Sequence, residues 1–170
     1  MLLATQREAY GRLVRLISLG RRAAPKGQYR LQRSDLESGL EGCLALLVPP
    51  DSYGTTPALL AADARWLADA FPGCAWVAAT FPLGADDVRR QGWIAHAAQQ
   101  AGIPVVSTGA PLMHCADRQR LADVLTSLRH RTPLDRAGFP LGANAEAHLQ
   151  PTSVLALRHP AEWIAESLKI

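Results

Sequence analysis

His114 and Cys115 are adjacent in the stretch STGAPLMHCADR, residues 107–118, with Asp117 two positions further on. Imidazole, thiolate and carboxylate are the protein ligands of zinc, and a cysteine beside a histidine base is the minimal activated nucleophile. Each chemistry needs more than these three residues supply. A hydrolytic metal site requires several histidine and carboxylate ligands converging from different strands. Adjacent side chains diverge, so one ion does not easily take both His114 and Cys115. A cysteine nucleophile needs its base within hydrogen-bond reach and an electropositive setting, and the spacing establishes neither. The residues therefore read first as a hydrogen-bonded loop histidine beside a half-buried cysteine. His96, His130, His148 and His159 are scattered and read as exposed or structural. No Walker loop, G-x-G-x-x-G, G-x-S-x-G or H-E-x-x-H motif is present.

A second kind of chemistry lies at the basic end. Residues 1–33 carry eight basic groups and one acid, a net +7, whereas the remaining residues carry ten basic and 14 acidic groups, a net −4. Arg12, Arg15 and Arg22 are offset by three and seven and share one helical face. Arg21, Lys26, Arg30 and Arg33 extend the charge. Clustered cations suffice for sequence-independent contact with phosphates. Only Tyr29 is available for base stacking, so no single-strand stacking platform is expected. A solvated arginine-rich helix explains the same pattern, and both readings stand.

The elements that must position these residues follow from apolar runs and breakers. The 170 residues suffice for one core and are expected to form a single domain over 1–170. It comprises a basic helix and connector over 5–33, an α/β body over 34–130, and an irregular and helical tail over 131–170. Residues 1–4 form a strand end, and Thr5 and Glu8 have capping-box spacing for the helix that follows. Ser34 and Glu37 repeat that spacing before Gly39. The runs 43–48, 74–81 and 103–107 predict buried strands. Thr56-Pro57 predicts a helix start, Gly84–Asp87 begins another helix, and Gly102 ends it. Asp117 is expected to cap a helix through His130, Thr152 a short one, and Pro160 starts the last. Alternating strands and helices imply a mostly parallel sheet with helices covering it. Four such units fall short of a complete eight-stranded barrel.

Functional groups of parallel α/β folds gather at the carboxyl ends of the strands. The first such end offers only Asp51 and Ser52, the second Thr80 and the segment 81–84, the third His114, Cys115 and Asp117. Three cysteines, Cys43, Cys74 and Cys115, widely spaced and without C-x-x-C, argue for a reducing compartment. Cys43 and Cys74 lie in apolar runs and are expected in the core. No apolar run is long enough to span a membrane, and the first residues lack the pattern of a secretory signal. A cytoplasmic location is expected.

YGRLVRLISLGRRAAPKGQYRLQRSDLESGLEGCLALL resembles the polymerase-and-histidinol-phosphatase (PHP) domain of bacterial C-family error-prone DNA polymerases, relatives of the replicative alpha subunit. The resemblance resumes at GADDVRR, at MHCADRQRLADVLTSLRHRTPL and at NAEAHLQPTSVLALRHPAEWIAESLKI. It implies the later part of a distorted β/α barrel that binds a metal cluster in other members. On that resemblance, the early histidine-rich motif would precede Met1 and the polymerase core would follow Ile170. Family members carry Asp-Val-His-Met-His where this chain has Ala110-Pro111-Leu112-Met113-His114, so only His114 is retained. Many carry Glu-Leu-His where this chain has Thr80-Phe81-Pro82. Asn-Gly-Glu-Arg-His-Leu becomes Asn144-Ala145-Glu146-Ala147-His148-Leu149, without its arginine.

The resemblance thus implies degenerate metal positions at Thr80, Pro82, Ala110 and Leu112, no cofactor, and no catalytic residue of this chain's own. It implies a structural or interaction role beside a DNA-directed DNA polymerase core in damage tolerance, DNA repair and replication. DNA, the polymerase core and other damage-tolerance proteins are the expected partners. Self-association through an open sheet edge is also expected, because uncovered parallel strands invite pairing. Two alternatives remain: a residual metal phosphoesterase using His114, Cys115 and Asp117, and a free-standing nucleic-acid-binding or adaptor module.

Overall fold

The computed structural model describes residues 1–50, 56–138 and 140–170. Asp51 and Ser52, expected at the first strand end, lie outside the described residues. A four-stranded sheet has the order β1 (Leu2–Ala4), β2 (Cys43–Leu47), β3 (Ala75–Ala79), β4 (Val105–Ser107). β2, β3 and β4 run parallel, with Ala45 opposite Ala75 and Val77 opposite Val105. The mostly parallel α/β architecture matches expectation, and the sheet is open rather than closed into a barrel.

β1 departs from the strand–helix alternation by pairing antiparallel with β2, Ala4 facing Cys43. The cause is the connector after α1 (Arg7–Arg22). A helix alone would return the chain for a parallel strand. Here the connector doubles back along the helix. Arg30 donates its amide to the Gly20 carbonyl at 3.0 Å. Tyr29 and Leu31 press on Gly20 so closely that a Cβ there would stand 2.7 Å from the tyrosine ring. The connector ends with Gly42 beside Gln6 and Ala9, in a left-handed conformation at φ 77°. β2 therefore starts where β1 finishes.

α2 (Pro57–Ala70) and α3 (Asp87–Ala101) cover one face of the sheet. Thr56 caps α2 by accepting the Leu59 amide at 3.2 Å, with Pro57 at the first helical position. Gly102, at φ 66°, ends α3. Ala61, Ala64, Ala97 and Ala98 are all buried, so the two helices approach each other and the strands closely. Leu60, Val77, Ile94 and Trp163 fill the centre of this core. Ala9, Leu16, Cys43 and Phe71 fill its continuation under α1. Cys43 is buried as expected and Cys74 half-buried. Burial is the main force raising the Cys43 thiol pKa; Arg12 opposes it and Glu41 adds to it.

The opposite sheet face gathers Leu46, Trp76, Ala78 and Val106. α4 (Gln119–His130), α5 (Thr152–Arg158) and α6 (Ala161–Glu166) complete the chain. α6 packs against the edge strand β4, and Glu166 reaches round to accept the Trp76 indole N–H at 3.1 Å.

Several caps differ from expectation. Thr5 does not cap α1; its hydroxyl donates to the Gly42 carbonyl at 2.7 Å, leaving Gln6 at the cap position. The turn Arg33–Leu36 begins at Gln32, whose amide donates to the Asp35 carboxylate, so Ser34 and Glu37 are not its box. Asp117 sits inside the 3₁₀ turn Ala116–Arg118, one residue short of the α4 cap position. Thr152 is the first residue of α5 rather than its cap. β4 begins only after Pro104, which lacks an amide donor for the ladder.

Candidate functional site

The carboxyl ends of β3 and β4 lead into two loops, and the tail 144–159 folds across them. Between them lies a cavity of about 300 Å³ lined by Thr80, Phe81, Pro82, Thr108, Ala110 and Leu112 on the loop side. Glu146, Gln150, Leu155, Arg158 and His159 line the tail side. Four of the five positions singled out in the sequence, Thr80, Pro82, Ala110 and Leu112, therefore meet at one cavity. His114 does not line it and is exposed. Cys115 is half-buried, and Asp117 is exposed in its turn.

The residues present do not fit a metal cluster. Alanine, leucine and proline side chains have no donor atom, and Thr80 offers a hydroxyl. Among the described residues, no three His, Cys, Asp or Glu side chains come close enough to hold an ion.

The cavity's charged groups are engaged with each other. Arg158 Nη1 donates to Glu146 Oε2 at 2.6 Å, both side chains being about three-quarters buried. Gln150 Nε2 donates to the same carboxylate oxygen at 3.1 Å. Alanine at position 147 stands where the resemblance expects an arginine; the cation beside Glu146 comes instead from α5. His159 is buried, 4.9 Å from the Phe81 ring centroid, and its Nδ1 has no hydrogen-bond partner. Burial, reinforced by the Arg158 charge, lowers its pKa and favours the neutral imidazole.

The rest of the tail motif is fastening. Asn144 Nδ2 donates to the Pro82 carbonyl at 2.6 Å, and its Oδ1 accepts the Glu146 amide. Met113 and His148 form an isolated parallel bridge, with the Leu112 and Met113 amides both directed at the Ala147 carbonyl. Leu83 and Ala110, one in each loop, hold left-handed backbones at φ 56° and 39°. Conformations of this sort persist only where surrounding contacts over-determine them.

The basic face is the second candidate. A groove of about 620 Å³ runs between α1 and residues 34–40, lined by Arg12 and Arg15, by the acids Glu8 and Asp35, and by Leu16 and Leu19. A second groove of about 510 Å³ continues from Arg15 and Leu19 to Ser18 and Arg22. Arg12 and Arg15 line the first groove, and Arg15 and Arg22 the second. Two of the seven named cations serve the fold instead. Arg12 pairs with Glu41 at 3.4 Å. Arg33 pairs with Asp63 and lies 4.8 Å over the Trp66 ring. Arg15, Arg21, Arg22, Lys26 and Arg30 are exposed.

The fold and its sites define a mixed α/β unit with a ligand-poor strand-end cavity and an arginine-bearing helix beside a groove of mixed charge. Comparison places this unit among relatives. The error-prone DNA polymerase of Aromatoleum aromaticum is 51% identical over 170 residues, all of this chain and 16% of that protein. That of Bordetella parapertussis is 40% identical over 178 residues, 99% of this chain and 17% of that protein. That of Pseudomonas savastanoi pv. phaseolicola is 40% identical over 170 residues, again 16% of the relative. No model of a known protein family matches the chain. The chain is related to error-prone DNA polymerases over its whole length and spans about one sixth of theirs. No helix among the described residues is long and apolar enough to cross a membrane.

Proposed function

We propose that this chain is a non-catalytic, PHP-like unit of an error-prone DNA polymerase, with a structural role beside the polymerase core during DNA synthesis. One observation carries the reading: the strand-end cavity is poor in free ligands. Its loop side presents no carboxylate or imidazole, and Glu146 and Arg158 neutralise each other on its tail side. A residual phosphoesterase would need His114, Cys115 and Asp117 at that cavity, and none of the three lines it. The test is elemental analysis of protein purified without a metal-affinity tag. No stoichiometric zinc or manganese is expected. A full equivalent of either metal, lost on His114→Ala, overturns the reading.

The groove along α1 favours a second, compatible role, contact with the DNA backbone. Arg15, Arg22 and Lys26 would each neutralise one phosphate. The slope of log affinity against log salt would then be about −2 to −3 for three contacts. Arg15→Glu with Arg22→Glu removes binding in fluorescence anisotropy while circular dichroism is unchanged. Salt-independent binding, or binding that survives the double change, leaves α1 as a solvated helix.

A further inference from the structure

α4 is docked inside out. Its sequence QRLADVLTSLRH sets Leu121, Val124, Leu125 and Leu128 at the i, i+3, i+4, i+7 spacing of one apolar face. Such a face normally turns to the core. Here the four side chains are 50%, 42%, 58% and 68% exposed. The inward side carries Ala122, Asp123, Thr126 and Ser127, all half-buried or buried. The helix packs on the two 3₁₀ turns that flank it, Ala116–Arg118 and Leu134–Arg136, rather than on the sheet. The inward face is poorly served: the buried Ser127 hydroxyl has no hydrogen-bond partner.

Charge decides what fits the outer face. Exposed Arg120 and Arg129 border the stripe on opposite sides, and exposed Arg118 and Arg131 stand at its ends. The other exposed apolar stripe among the described helices, Tyr10, Val14 and Ile17, belongs to α1, within the segment of net charge +7. A second copy of the chain would therefore set arginine against arginine, whether α4 met α4 or α1. Flanking charges of this kind select the partner in helix pairing, and like charges reject it.

We propose that the leucine face of α4 docks an amphipathic helix of a partner protein whose apolar stripe is flanked by aspartate or glutamate. The proposal is independent of the DNA reading, since it uses neither the α1 groove nor the strand-end cavity. The probes are two labelled synthetic helices of about three heptads, leucine at the a and d positions, with either glutamate or lysine at e and g. Anisotropy with the full chain is expected to show the glutamate helix binding about tenfold or more tighter at low salt. Arg120→Glu with Arg129→Glu should reverse that preference, Leu125→Glu should weaken both probes, and Arg15→Glu with Arg22→Glu should leave the preference intact. Equal binding of the two probes, or a preference that follows the α1 changes, overturns the proposal. A dimer in sedimentation that Leu125→Glu dissociates also overturns it, in favour of a second copy.

Discussion

The ion pair between Glu146 and Arg158 gives the sharpest test of how the strand-end cavity is closed. Arg158→Met keeps most of the side-chain volume and removes the guanidinium. Glu146 then retains Gln150 as its side-chain donor. The pair is close, at 2.6 Å, and each side chain is about one-quarter exposed. Exposed pairs contribute about 0–1 kcal/mol, and breaking a fully buried pair costs about 3–5 kcal/mol. Three-quarters burial with one short charge-assisted bond places the loss at about 2 kcal/mol. For a chain of this size that lowers Tm by roughly 4–8 °C. Urea unfolding of wild type, Arg158→Met, Glu146→Gln and the double variant forms a cycle, with an expected coupling of about 1–2 kcal/mol. Partial burial also means that raising the salt should erase only part of it. A coupling below about 0.3 kcal/mol would refute the argument, because the carboxylate and guanidinium would then be no better paired than two solvated surface groups.

His159 supplies a pH signature. Its folded pKa is lowered, so the unfolded chain binds the proton more readily. Stability is therefore greatest above the unfolded imidazole value of about 6.5, falls as pH drops below it, and levels off once the folded pKa is passed. His159→Phe keeps an aromatic ring against Phe81 and should flatten that loss in urea titrations at successive pH values. Leu83→Gly relieves a left-handed backbone at a half-exposed side chain and should raise stability by about 0.5–1 kcal/mol after the glycine entropy cost; a loss of stability would show that the leucine side chain is needed for packing.

Much of the body was legible because local signals agreed with the tertiary result. Each predicted apolar run contains an observed strand, Thr56-Pro57 caps and opens α2, and Gly102 ends α3. What escaped depends on distant partners. Thr5 has the right spacing for a cap, yet its hydroxyl is taken by Gly42, 37 positions away. The reversal of β1 depends on Tyr29 and Leu31 settling on Gly20, which no periodicity reveals. The cavity's loop side was readable from Thr80, Pro82, Ala110 and Leu112. Its tail side was not: Arg158 lies twelve positions from Glu146, with a helix start between them, and no motif couples the two. His159 gave no sign of burial because its aromatic neighbour, Phe81, comes from the loop after β3, far away in sequence.

The way the tail is fastened has a consequence for the order in which the molecule opens. Residues 1–47 are tied by the β1–β2 ladder and by bonds spanning up to 45 positions, and α6 is anchored by Trp163 in the core, whereas the strap at 144–149 is held across the loops by Asn144 to Pro82, spanning 62 positions, and by the backbone bonds of Leu112, Met113 and Leu149. Long loops are the last to be closed in folding and the first to be released in local unfolding. Native-state amide exchange should therefore find the bonds from Leu112, Met113 and Leu149 opening together, well below the free energy of global unfolding. Opening of the strap would remove the cavity's tail wall, so a molecule seated against Glu146, Gln150 or Arg158 would bind only while the strap is closed, and its binding would protect those same amides from exchange.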